Sequence, residues 1–309
     1  MRCTADAISA LGLDFAGYDS ARQAKLCKKT RVSYFVSVYG HSPASYAQLF
    51  EELCDSLAAR GMLKKPPVLA EFLMMANWMK EGITFNSLGG KFKMNPNTAA
   101  KWCWAYAKAV GVLYATKVSL TMRNSQSTIF DLLTFCQIFF GPWDDATVLI
   151  FTVDGTHFKI KEPRDDPSSK WYSHKFNAPG LNYELAVCIR ENRIFWTSGP
   201  YPASVHDITI YRKHLMGMVP PGRRGIGDSG YAGEPDTLTV IRQSDSAEVK
   251  KFKEAARARH ENVNGRLKEF GLLDKRWAYH RDKHEFVFRA LVVMTQYDIE
   301  TTGPLFDLY

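Results

Sequence analysis

The feature that most constrains this chain is the run Val148-Leu149-Ile150-Phe151-Thr152-Val153, which ends in Asp154-Gly155-Thr156-His157. Five of its first six residues are apolar, and three of those five are β-branched. That composition suits a strand buried on both faces at the centre of a sheet. A lone carboxylate does not belong in such a strand, because desolvating it costs several kcal/mol. Asp154 therefore calls for a partner, and a metal ion is a suitable one. The plain alternative is that Asp154 simply ends the strand and opens a turn. Gly155 leaves the backbone open to close approach.

The 309 residues are enough for two domains. No apolar run approaches the roughly 20 residues of a membrane helix, so no membrane role is expected. Asp6 and Asp14 lie among the first apolar residues without a charged-then-apolar pattern, which disfavours a secretion signal. Six scattered cysteines without a close pair suggest a reduced protein, neither a disulfide scaffold nor a cysteine zinc site. The net charge of +8 suits a polyanionic partner such as nucleic acid.

The first 141 residues read as helical. Ser42-Pro43 is an N-cap and first helical residue, followed by Tyr46, Leu49, Phe50, Leu53 and Leu57 at spacings of three and four, with Gly61 at the end. Val68 to Lys80 is a second helix closed by Gly82. Thr84 caps a short one through Phe92, and Thr98 starts another running to about Val110. Three helices with a tight last turn, over about 68–111, have the layout of a helix-turn-helix. In such a unit the first turns of the third helix meet DNA. Here they carry Asn97, Thr98, Lys101 and Trp104. A plain helical bundle with solvated lysines has the same short turn. A further helical pattern spans 128–140, and Gly141 marks the expected boundary between a domain at 1–141 and one at 142–309.

Beyond Asp154 the expected strands are Tyr183 to Arg190, Arg193 to Thr197 and Arg224 to Asp228. The first two form an antiparallel hairpin about Glu191-Asn192, and Gly199-Pro200-Tyr201-Pro202 breaks the sheet. Ser204 caps a helix over Val205 to Leu215, and two long helices follow, Ala247 to Phe270 and Asp282 to Glu300. The order strand, strand, strand, helix, strand, helix is that of an RNase H-like mixed sheet. The fold class is thus α/β, with an all-α N-terminal helix-turn-helix domain in front. The first and fourth strands lie side by side in such a sheet, so Asp154 and Asp228 stand together.

At 100° per residue, Phe252, Ala256, Val263, Leu267 and Phe270 form one face of the Ala247 helix. Arg257, Glu261, Asn264, Gly265 and Lys268 cluster on another. Glu261 can meet a metal there while Arg257 and Lys268 meet a phosphate backbone. A solvated face with an Arg257–Glu261 pair is the bland alternative. Three acids suit phosphodiester cleavage, where two Mg2+ (or Mn2+) ions about 4 Å apart activate water and relieve charge on the leaving oxygen. Asp154 would bridge the ions, with Asp228 and Glu261 flanking. His157, His206 and Asp207 are candidates to orient a carboxylate or steady a phosphate.

Four blocks resemble the PIF/Harbinger-type DDE transposases and their host-derived nuclease relatives. They are Val153-Asp154-Gly155-Thr156-His157, Tyr201-Pro202-Ala203-Ser204-Val205-His206-Asp207, Gly227-Asp228-Ser229-Gly230-Tyr231, and Arg257 to Phe270 with Glu261 inside it. Phe72 to Ala107 also looks like that family's helix-turn-helix. The resemblance implies an RNase H-like fold, metal-dependent cleavage and joining of DNA strands, and a nuclear location. It also implies Asp154, Asp228 and Glu261 as metal ligands. Ala203 stands where the family often has glycine, and Asn264-Gly265 where many members have a more distant Phe-Gly, which marks a divergent branch. The expected function is a metal-dependent DNA endonuclease or transposase, acting as a homo-oligomer on two DNA ends and with an accessory DNA-binding protein. The alternatives are a catalytically silent, host-recruited DNA-binding protein of the same fold and an RNase H-like hydrolase of RNA–DNA hybrids.

Overall fold

The structure is a computed structural model that describes residues 3–60, 66–118, 143–144, 147–164 and 166–308. The helix expected at 128–140, Gly61 and the boundary at Gly141 lie outside the described residues. The chain is mixed α/β with a helical N-terminal region. It divides into two compact units, one of residues 1–117 with 266–304 and one of residues 118–265 with 305–309. Residues 266–304, expected within the domain at 142–309, group with the N-terminal helices.

The helical unit begins with α1 (Ala5–Phe15), α2 (Ser20–Ala24), α3 (Lys28–Tyr39) and α4 (Pro43–Arg60). The Ser45 N–H donates to Ser42 Oγ at 3.1 Å, so Ser42 caps α4 and Pro43 takes the first helical position, which needs no N–H. Tyr46, Leu49, Phe50 and Leu53 are buried as their spacing requires; the side chain of Leu57 is outside the described set.

Next come α5 (Leu69–Glu81), α6 (Phe85–Lys91), α7 (Pro96–Val112) and α8 (Tyr114–Lys117). Gly82 ends α5 in the left-handed region, at φ 59°. Thr84 Oγ1 accepts from Ser87 N–H at 3.3 Å and caps α6. α7 starts two residues before Thr98, because Asn95 is its cap and Pro96 its first residue.

The sheet unit carries β1 (Trp143–Asp144), β2 (Thr147–Lys159), α9 (Ser168–Trp171), β3 (Tyr172–Ser173), β4 (Ala178–Cys188) and β5 (Ile194–Pro202). It continues with α10 (Asp207–His214), β6 (Arg223–Ile226), β7 (Leu238–Thr239) and α11 (Ala247–Lys268), whose last residues, from Arg266, fall in the helical unit. The helical unit closes with α12 (Gly271–Asp274) and α13 (His284–Thr301).

The strands run β5-β4-β2-β6-β7, with β3 on β4 and β1 on β2. β2 pairs antiparallel with β4 and parallel with β6, and β6 pairs parallel with β7, so the sheet is mixed. The long apolar run is indeed its centre. One face packs Phe151, Val153 and Ala186 with Tyr211 of α10 and with Tyr231; the other packs Leu149 and Ile226 with Phe252 and Ala256 of α11.

Three local expectations are corrected. Gly199-Pro200-Tyr201-Pro202 does not break the sheet: β5 runs through Pro202. Among the described residues it pairs only with β4, and an edge strand tolerates residues that lack an N–H. The helix expected from Val205 begins at Asp207, because the Ser204 hydroxyl donates to Lys170 O at 2.6 Å and caps nothing. The fourth strand stops at Ile226, short of Asp228.

Candidate active site

β2 and β6 are in register through Thr152 opposite Ile226. Two residues beyond that pair stand Asp154 and Asp228, which puts both acids at the same end of neighbouring parallel strands. Asp228 is set by a turn: its Oδ1 accepts the Gly230 N–H at 2.8 Å and caps the 3-10 turn Ser229–Tyr231.

Asp154 faces α11. Its Oδ1 accepts the Gly155 N–H at 2.9 Å, and its Oδ2 accepts Asn264 Nδ2 at 3.1 Å. Burial raises its pKa, the Lys175 ammonium partly offsets that, and Asp207 and Asp228 add to it, so the carboxyl is pushed up to about 6.

Alternation along β2 places Gly155 and His157 on the other face, towards α10. A Cβ on Gly155 would lie 2.2 Å from Asp207 Oδ1, so the open backbone at this glycine is filled by a carboxylate of this chain. Asp207 accepts Asn182 Nδ2 at 2.6 Å, and the Lys175 Nζ stands 3.6 Å away while donating to Gly155 O at 3.0 Å. His157 Nδ1 lies 2.7 Å from Ser173 Oγ, and its Nε2 is 4.0 Å from Asp207. Glu184, opposite Gly155 on β4, is fully buried and accepts the Tyr231 hydroxyl at 2.8 Å.

Of the residues singled out in the sequence, the structure brings together Asp154 and Asp228, and on the opposite face His157 and Asp207. His206 is exposed and precedes α10 without a side-chain cap. Glu261 is exposed on α11, as is Lys268, and Arg257 is half-buried; the helix side chain at Asp154 is Asn264. Asn97, Thr98 and Lys101 are exposed at the start of α7. Trp104 is half-buried and packed edge-on against Trp78, Trp277 and Tyr279.

Sequence reasoning did not single out Glu184, Asn182, Lys175 or Tyr231 as groups of the acid cluster. Glu184 has one signal, an acid directly before the apolar run Leu185–Ile189, and Asn182 lies two residues earlier.

Among the described residues no three His, Cys, Asp or Glu side chains converge to hold a metal. The donor types near Asp154 fit a hard divalent cation: the carboxylates of Asp154 and Asp228, and the side-chain amide of Asn264, whose buried Oδ1 has no hydrogen-bond partner among the described residues. No helix among the described residues is long and apolar enough to cross a membrane.

Residues 153–296 match the family model described as DDE superfamily endonuclease. No curated protein and no solved structure matches the chain.

Proposed function

We propose, from the DDE superfamily endonuclease match of residues 153–296, that this chain is a divalent-metal-dependent enzyme cutting phosphodiester bonds of DNA, as an endonuclease or transposase. The observation that carries the reading is the placement of Asp154 and Asp228 at one end of parallel β2 and β6. The strand order β5-β4-β2-β6-β7, antiparallel on one side of β2 and parallel on the other, supports an RNase H-like domain of the PIF/Harbinger type.

Asp154 and Asp228 are the proposed ligands of Mg2+ or Mn2+, with two ions expected. Glu261 is the third, one turn before Asn264 on the same side of α11. When bound, such ions activate water and offset charge on the leaving oxygen. The chain's own groups set the stage. Asn264 and the Gly155 N–H fix the two oxygens of Asp154, and Lys175 balances Asp207 beneath it. Arg257 and Lys268 lie one and two turns either side of Glu261, at spacings that follow a phosphate backbone.

In the helical unit, α5, α6 and α7 form the proposed helix-turn-helix, with Asn97, Thr98 and Lys101 exposed to meet DNA. The proposed place of action is the nucleus. Two copies would act on two DNA ends, with an accessory DNA-binding protein.

A second reading is a DNA-binding protein of the same fold that does no chemistry. The exposure of Glu261 favours it. Nicking of supercoiled plasmid in Mg2+ or Mn2+ separates the two. Cleavage by the unchanged protein that is lost in Asp154→Ala and in Asp228→Ala supports the enzyme. Cleavage that survives either substitution sinks the site assignment. DNA binding without cleavage in the unchanged protein favours the silent reading. Faster cleavage of an RNA–DNA hybrid than of duplex DNA would reassign the substrate.

A further inference from the structure

We propose that the side-chain amide of Asn264 is itself a ligand of the cation at Asp154 and Asp228. This assignment rests on the metal-dependent reading above and adds to it a residue outside the three acids.

The argument begins with how α11 meets β2. His260 and Thr152 form one rung, with Nδ1 and Oγ1 2.8 Å apart and both residues buried. Four residues on along the helix is Asn264; two residues on along the strand is Asp154. Four helical residues rise about 6 Å and two strand residues about 6.7 Å, so the next rung falls in step. Asn264 Nδ2 donates to Asp154 Oδ2 at 3.1 Å. The helix position delivered to the acid is therefore 264. Glu261 lies a turn earlier and is exposed.

The second observation is what the amide leaves over. A carboxylate only accepts, so the nitrogen faces Asp154 and the oxygen is the free end. Asn264 is 7 % exposed, and its Oδ1 has no hydrogen-bond partner among the described residues. A buried amide oxygen left alone carries its full desolvation penalty. A hard cation held by the neighbouring carboxylate would satisfy it, and amide oxygens are ordinary ligands of such ions.

The test is a Mn2+ titration of the full chain without DNA, followed by calorimetry or by the loss of the free-ion resonance. The unchanged protein binds Mn2+ and Asp154→Asn does not. Asn264→Ala weakens binding by at least about 10- to 100-fold, the cost of losing even a group that only orients a metal ligand. Asn264→Asp keeps an oxygen, gains a charge and cannot donate a hydrogen bond. It binds at least as tightly as the unchanged protein.

Unchanged affinity in Asn264→Ala overturns the proposal. So does Asn264→Asp binding as weakly as Asn264→Ala, because the amide would then serve only as a donor to Asp154. Should Asn264→Ala fail to fold by circular dichroism, the near-isosteric Asn264→Asp decides alone, weakened binding overturning the proposal and retained binding supporting it. A wild-type chain that takes up no Mn2+ overturns the metal-dependent reading together with this one. Failure at Asn264 alone, with Asp154→Asn still abolishing binding, leaves that reading standing.

Discussion

At the scale of single residues, Glu184 is displaced far from its ordinary behaviour. Burial pushes its carboxyl up to about 9, against the Tyr231 hydrogen bond and with help from the charges of Asp207 and Asp154. In an unfolded chain a glutamate titrates near 4.3. Between those values the folded protein holds a proton that the unfolded chain has lost, so Glu184 costs more stability as pH rises through that window. Glu184→Gln removes the titration and keeps an oxygen to accept from Tyr231. The variant should melt higher than the unchanged protein at pH 8, with the gap shrinking towards pH 5, in thermal scans at several pH values. A gap independent of pH would show that the group does not titrate this way.

Asp154 was legible because an acid closing a long apolar run stands out. Glu184 was not, since a lone acid within a strand looks like a solvent-facing position until the layer that covers it is known. Asn264 was grouped with Glu261 on a polar helix face, and only the strand beneath separates a buried amide from an exposed acid.

Among the elements, helix faces were more readable than strand ends. Phe252, Ala256, Val263, Leu267 and Phe270 are all buried, as a period of 3.6 requires. β5 was cut short in the sequence reading because prolines punctuate central strands, whereas an edge strand carries them. Long-range polar ties were not readable at all.

One such tie joins the start of α4 to the end of α13. Asp298 accepts Ser45 Oγ at 2.9 Å and Thr302 Oγ1 at 3.0 Å, with Arg266 Nη1 at 3.3 Å and His41 Nδ1 at 3.6 Å. Burial alone would raise its pKa. The hydrogen bond and charge of His41, with the two hydroxyls, outweigh burial and hold it well below the usual carboxylate range. The unfolded chain therefore takes up the proton first, and this stabilisation is present above pH about 4 and lost below it. Asp298→Asn should lower stability at pH 7 by about 1–3 kcal/mol, the cost of disrupting a charged hydrogen-bond network. Its acid unfolding between pH 5 and 3 should be shallower than that of the unchanged protein. Urea melts across that range would reveal an equal slope if the network is idle.

For the molecule as a whole, both units are made of two pieces of chain. The sequence reading placed the helix from Asp282 to Glu300 in the domain at 142–309. Periodicity shows that a helix has an apolar face but not which surface covers it. In the structure Val287, Phe288, Leu291, Val292 and Met294 of α13 are buried in the helical unit. A fragment of residues 1–117 should therefore bind a hydrophobic dye and unfold without a sharp transition. Adding a 266–304 peptide should restore cooperative melting, and a fragment that already melts sharply alone would contradict this. The net charge of +8 leads to a companion expectation, that DNA affinity of the full chain falls steeply with salt.

The interleaving of the two units has a consequence for how the protein is made. On the ribosome the helices of residues 1–117 emerge first, yet their unit is finished only when α13 appears. At ordinary elongation rates of about 5–20 residues per second, that wait is on the order of ten seconds or more. Through it the surface awaiting α13 is bare while the sheet is synthesised, and a nascent chain in that state is a natural client for chaperones.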